Sequence, residues 1–205
     1  MLAPLRKYLN ESEPLRKYLN ESDFTDLILI ISQYVFPRRK EEGNSKKYYD
    51  NGELYFECII YDNGKYKQKW YYMNGQLKNE FIMRNNKFDG VCKSYYKTGF
   101  IKAECKLNGE KFGMQKYDGV FKKYFESGGL NVECVYKDNI KDGACKTYYE
   151  NGMVEWECVY RNGNCDGICR KYDKTGILKW ECVYKNGVEE LEQFYNIHIE
   201  ELLQD

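Results

Sequence analysis

Nine cysteines and one histidine are the residues of this 205-residue chain with the most obvious capacity for chemistry. A single imidazole, His198, excludes a multi-histidine metal centre and argues against a His-based nucleophile triad. Near the chain end it suits a solvated or capping role. Cys165-x3-Cys169 is the nearest approach to a metal-ligand spacing. Zinc cages want paired knuckles brought together by turns, whereas these cysteines fall mid-strand, so neither a metal nor a cofactor is expected. There is no GxSxG, P-loop, GxGxxG or HExxH motif, and no segment outside the repeats long enough for a catalytic domain. The chain reads as a non-enzyme.

Charge narrows the binding classes. The 32 basic residues balance 32 acidic ones, which argues against nucleic acid held by bulk electrostatics and against a polybasic membrane adaptor. Alternating Lys and Tyr imitates a single-strand stacking platform, but each Lys has a Glu opposite it and the field cancels. Aromatic residues make up 17% of the chain, with 21 Tyr against 3 Pro, so it folds. Met1 to Asn10 lacks the apolar core of a signal peptide, and the longest apolar run, Leu27 to Ile31, is too short to span a bilayer. The expectation is an intracellular protein, cytoplasmic or nuclear, with reduced thiols and no membrane span.

The elements that position these residues come from internal repetition. Gly52, Gly75, Gly99, Gly128, Gly152 and Gly176 are spaced 23, 24, 29, 24 and 24 residues apart, with an insertion near Lys111 to Lys116 in the third copy. Glutamate follows each anchor at a fixed distance: Glu57, Glu80, Glu104, Glu133, Glu157 and Glu181. Tyrosine precedes each: Tyr48, Tyr71, Tyr95, Tyr124, Tyr148 and Tyr172. Two residues earlier stands a base: Lys46, Lys69, Lys93, Lys122, Lys146 or Arg170.

Each copy reads as a β-hairpin. Asn51-Gly52, Asn74-Gly75 and Asn151-Gly152 are taken as two-residue type I′ turns, as are Asn63-Gly64, Asn108-Gly109, Asn162-Gly163 and Asn186-Gly187 between copies. Counting outward pairs Lys146 with Glu157 and, in the same way, Lys46 with Glu57, Lys69 with Glu80, Lys93 with Glu104, Lys122 with Glu133 and Arg170 with Glu181. Such pairs contribute a few tenths to about 1 kcal/mol each and act as a register lock on a solvated face. The same register sets Cys145 opposite Cys158, Cys92 opposite Cys105 and Cys169 opposite Cys182, as buried reduced thiols, with strained cross-strand disulfides as the alternative.

The opposite face is assigned to the core. It carries Leu54, Leu77, Ile101, Leu130, Val154 and Leu178, with Tyr49, Tyr72, Tyr96, Phe125 and Tyr149 across from them and Asp173 breaking the series. Trp156, Cys158 and Tyr160 continue it, as do Trp180, Cys182 and Tyr184, while Gly90, Gly119, Gly143 and Gly167 leave room for a ring to cross. A single sheet has more apolar surface than short end helices cover, so part of this face curls on itself, meets a second copy or receives a partner. The candidate partner-binding residues are therefore Tyr72, Tyr96, Tyr149, Trp156, Tyr160, Trp180 and Tyr184.

The unit Asp142-Gly143-Ala144-Cys145-Lys146-Thr147-Tyr148-Tyr149-Glu150-Asn151-Gly152, continued through Met153 to Tyr160, resembles the variant form of the MORN repeat. That variant reads roughly DG-x-x-K-x-YY-x-NG-x-L-x-x-E and occurs in bacterial antitoxin-like proteins and large DNA viruses. The resemblance runs from about Lys46 to Asn196 and implies a non-catalytic scaffold that binds other proteins.

The fold class is thus all-β: one elongated, twisted antiparallel sheet of six tandem hairpins over 46–196, with short helical caps. Residues 1–45 form the N-terminal cap, with PLRKYLNES occurring twice, Pro4 to Ser12 and Pro14 to Ser22. Phe24, Leu27, Ile28, Ile31, Tyr34 and Val35 share one helical face that Pro37 ends. Glu189 to Asn196 adds a last strand, and 197–205 forms a capping helix through Ile199, Leu202 and Leu203. The expected function is protein–protein interaction, including self-association as a homodimer. Two alternatives stand beside it: an F-box-like adaptor acting through residues 23–37, and an antitoxin-like protein that neutralises a partner toxin.

Overall fold

Alternating Tyr, Val, Ile, Trp and Cys with charged residues has the period of a half-buried strand, and the chain follows it. The computed structural model describes residues 44–61, 63–85, 87–109 and 115–194. Among these there are strands and turns and no helix. The first hairpins comprise β1 (Ser45–Tyr48) with β2 (Leu54–Ile60), β3 (Lys65–Tyr71) with β4 (Leu77–Arg84), and β5 (Lys87–Tyr95) with β6 (Ile101–Gly109). They are followed by β7 (Gln115–Tyr124) with β8 (Leu130–Lys137), and β9 (Ile140–Tyr148) with β10 (Val154–Arg161). After the two-residue β11 (Asn164–Cys165), β12 (Gly167–Tyr172) pairs with β13 (Leu178–Lys185), and β14 (Val188–Phe194) closes the series.

All fourteen belong to one antiparallel sheet in which each strand of the main path pairs with its neighbours in the chain, β11 joining β10 alone. At about 4.8 Å per strand the sheet is on the order of 60 Å across. The six-hairpin meander is as expected, and so is the last strand β14, expected over Glu189 to Asn196; β11 is the addition. The N-terminal cap with its duplicated block, the F-box-like stretch 23–37, residues 111–114 of the insertion and the C-terminal helix with His198 lie outside the described residues.

The anchor turns differ from the expectation. In the fifth hairpin the Gly152 amide donates to the Tyr149 carbonyl and the Tyr149 amide to the Met153 carbonyl, both at 2.9 Å. Gly152 has φ +84°, while Asn151 is not left-handed. This is a type I turn closed by a left-handed glycine, not a type I′ turn, and it shifts the register by one residue. Val154 therefore faces Tyr148 instead of Tyr149. A bulge at Glu155 then restores the expected count, with Trp156 opposite Thr147, Glu157 opposite Lys146 and Cys158 opposite Cys145. The other five hairpins carry the same irregularity. Type I′ geometry holds between hairpins, where Asn63 and Gly64, Asn162 and Gly163, and Asn186 and Gly187 all have positive φ. Asn108 and Gly109 are no turn: they extend β6 and pair with Lys116 and Gln115.

The core occupies one face. Phe56, Phe81, Leu107, Phe121, Val132, Trp156 and Trp180 are buried in one continuous cluster. The leucines and isoleucine nearest the turns, Leu54, Leu77, Ile101, Leu130 and Leu178, are only half-buried, as is Val154, because the bulges move the buried row one pair inward.

Candidate functional site

The ladder of bases and glutamates lies on the face opposite the core. Lys46 to Glu57 at 3.3 Å, Lys93 to Glu104 at 3.6 Å, Lys122 to Glu133 at 3.2 Å, Lys146 to Glu157 at 3.0 Å and Arg170 to Glu181 at 2.6 Å form as the register requires. The second hairpin departs from the pattern. Lys69 sits opposite Glu80 along the backbone but reaches Glu57 at 3.6 Å, and Glu80 is held by Lys67 at 2.6 Å.

The repeated tyrosine links consecutive units. Its hydroxyl donates to the glutamate of the preceding hairpin: Tyr71 to Glu57 at 3.2 Å, Tyr95 to Glu80 at 2.7 Å, Tyr124 to Glu104 at 2.8 Å and Tyr172 to Glu157 at 2.7 Å. Burial by itself would raise the Glu157 carboxyl, but Tyr172, Lys146 and Arg170 outweigh it and hold the group below its ordinary 4.5. Glu57 is lowered in the same way against burial by Lys46, Lys69 and Tyr71, and Glu80 by Lys67 and Tyr95. Burial, then the adjoining glutamate, pushes the Tyr71 and Tyr124 hydroxyls up to about 12, so both remain donors at neutral pH. The arrangement is a ladder of satisfied charges.

Beside it runs a row of aliphatic side chains on the same face. Val120 pairs with Val135, Ala144 with Val159, and Ile168 with Val183. Val120 and Val159 are each 44% exposed and Ile168 41%, and Val91 on β5 is 46% exposed. Strand alternation puts these positions two residues from the ladder charges, where the sequence reading saw only a solvated face. Their own periodicity, Val or Ile two residues before a base or after a glutamate, was the available signal.

The seven aromatic candidates fall into two groups, three buried and four half-buried, and none is a fully exposed anchor. Trp156, at 5% exposure, and Trp180, at 8%, lie edge to face with ring centres 5.4 Å apart, and Tyr160 is buried beside them. These three are core. Tyr184 is half-buried and packs on the same cluster. Tyr72, Tyr96 and Tyr149 are half-buried near the turns, where their hydroxyls donate to the carbonyls of Tyr95, Tyr124 and Tyr172 in the following units, at 2.8, 2.8 and 2.9 Å. In the last unit Asp173 replaces this tyrosine. Its carboxylate accepts from the Thr175 hydroxyl and from the Thr175 and Ile177 amides, closing its own turn.

The cysteines form a row across the middle of the core face. Cys92 faces Cys105, Cys145 faces Cys158 and Cys169 faces Cys182, as the register requires. Cys134 also faces Cys145 across the boundary between hairpins, and these two are joined as a disulfide. That corrects the expectation of uniformly reduced thiols, which counted pairs only within hairpins. The other seven cysteines are thiols, outside any disulfide.

Cys158, Cys165 and Cys169 converge, with all three sulfur atoms within 4.8 Å of one another. The Cys165-x3-Cys169 spacing in an extended strand would separate the two residues by about 13 Å. The backbone is instead bent at Gly167, with φ +134°, and the Asp166 amide donates to the Val159 carbonyl at 2.9 Å. Cys165 receives hydrogen bonds from Cys158, Cys169 and Tyr160 and lies near the Lys141 ammonium, which together outweigh burial and favour its thiolate. These three residues are the ones in the described chain placed to hold a metal ion.

Residues 41–63, 117–138 and 141–164 match a family model described as the MORN repeat variant. They cover the first, fourth and fifth hairpins. No curated protein matches the chain.

Proposed function

Since three of its hairpins match the MORN repeat variant, we propose that this chain is a non-catalytic scaffold that binds another protein through the ladder face of its sheet. The observation that carries the reading is the aliphatic row of Val120, Val135, Ala144, Val159, Ile168 and Val183, laid on a continuous sheet and bordered by charges. An exposed apolar stripe with a polar rim has the composition of a recognition surface, and its rigid strands make ordering on binding inexpensive. The F-box-like and antitoxin-like alternatives have no comparable support.

The test compares the wild-type chain with a Val120→Glu/Val159→Glu variant. Both are used for affinity capture from intact source cells and for sedimentation across a concentration series. A specific protein captured by the wild type and lost from the folded variant supports the reading, and a wild-type dimer dispersed by the variant makes the partner a second copy. A strictly monomeric protein with no specific partner, or a partner retained undiminished by the variant, overturns it.

A further inference from the structure

Two residues before the glycines at which the pairing between hairpins bulges, Gly90, Gly119, Gly143 and Gly167, stand Phe88, Tyr117, Lys141 and, in the last unit, Cys165. Cys158 and Cys169 belong to the thiol row, one pair beyond Glu157 and Arg170, and neighbouring thiols are usual there. Cys165 is not required by the repeat, yet it stands where its sulfur meets both. Cys158 and Cys169 are buried and Cys165 is half-buried, so the cluster has one side open to solvent. Tyr160 pairs with Cys165 along the backbone. The Lys141 ammonium lies 4.8 Å from the centre of the Tyr160 ring, as a cation held next to the sulfurs.

We propose that Cys158, Cys165 and Cys169 form a three-thiolate site for a thiophilic d10 cation, Zn2+ or Cu+. A metal–sulfur distance of about 2.3 Å puts sulfurs about 3.8 Å apart around a tetrahedral ion, and about 4.0 Å apart around a trigonal one. The three sulfurs are no more than 4.8 Å apart, at most about 1 Å beyond these values. Binding forms three metal–sulfur bonds, and any thiol still protonated releases its proton to solvent. Three thiolates around Zn2+ carry one net negative charge, which the Lys141 ammonium offsets. Zn2+ keeps a fourth position for water on the Cys165 side, whereas Cu+ is satisfied by the three sulfurs. The Tyr160 hydroxyl, hydrogen-bonded to Cys165, orients that ligand.

The experiment uses the full chain, purified without oxygen or reductant so that the Cys134–Cys145 disulfide stays closed, loaded with Zn2+, desalted and assayed for metal and for melting temperature. A parallel arm uses Cu+ delivered from a chelator. The expected result is one ion per chain, a raised melting temperature, and at least a tenfold loss of affinity in Cys165→Ser. Cys58→Ser, in β2, should bind as the wild type does. Co2+ in place of Zn2+ should show thiolate charge-transfer absorption that Cys165→Ser abolishes. If Cys165→Ser fails to fold, Cys169→Ser is read in its place. Retention of Cu+ but not Zn2+ keeps the site and makes it trigonal. The proposal is overturned if neither ion is retained, or if a folded Cys165→Ser or Cys169→Ser protein binds as tightly as the wild type. Partner capture is scored separately, so loss of the scaffold reading leaves this result standing.

Discussion

The Thr147 side chain is 0% exposed, between Val132 on one strand and Trp156 on the other, and its hydroxyl has no hydrogen-bond partner. A buried hydroxyl without a partner costs about 1–3 kcal/mol of desolvation, and valine has the same shape without it. Thr147→Val is therefore expected to raise stability by about 1 kcal/mol, read as a higher urea midpoint with unchanged slope; a lower midpoint would show that the hydroxyl is satisfied. Trp156 lies in the same row with its ring against Trp180. Trp156→Ala should cost about 3–5 kcal/mol and leave partner capture by the remaining folded fraction intact. If capture is lost while the melting temperature holds, Trp156 is an anchor and not core.

At the scale of strands, the bulge glycines shape the sheet, and two of them separate backbone strain from crowding. Gly90 and Gly143 have φ +129° and +131°, a region L side chains rarely adopt. A Cβ on Gly90 would meet nothing within 4 Å, whereas one on Gly143 would stand 2.9 Å from the Val135 Cβ. Gly143→Ala should therefore cost about 1–3 kcal/mol more than Gly90→Ala, measured by denaturant unfolding of the two variants. Equal losses would mean that β8 and β9 separate freely. Bulges also mark the limit of what was legible in the sequence. Period-2 alternation and six repeated anchors gave the hairpins, the Lys–Glu ladder and the in-hairpin cysteine pairs. They could not distinguish a type I turn with a left-handed glycine from a type I′ turn, because Asn-Gly serves both. The pairing beyond the turn still came out right, because the bulge at Glu155 cancels the one-residue shift. The thiol cluster stayed hidden because it depends on the bend at Gly167, which turns a spacing of about 13 Å into a contact. The aliphatic row was hidden differently: its residues are plain to see, but charges two positions away made the whole face read as solvated.

For the molecule as a whole, each strand of the main path pairs only with its chain neighbours, so cohesion is transmitted from one hairpin to the next. The ladder crosses those boundaries through the tyrosine–glutamate hydrogen bonds and makes the array sensitive to acid. Glu57, Glu80 and Glu157 are lowered from an ordinary 4.5, so below that value the unfolded chain binds more protons than the folded one. Their contribution is present above about pH 4.5 and is lost as pH falls through the lowered folded values. The expected profile is a melting temperature nearly flat from pH 7 to 5 that falls steadily below 4.5. Tyr95→Phe and Tyr172→Phe together remove the hydrogen bonds to Glu80 and Glu157, so the double variant should start less stable at neutral pH and lose less on acidification. Salt should weaken the Lys46–Glu57 pair, where the lysine side chain is 53% exposed, more than it weakens the tyrosine bonds. A melting temperature at pH 3.5 equal to that at pH 6 would show that the ladder sets register alone and contributes nothing to holding the hairpins together.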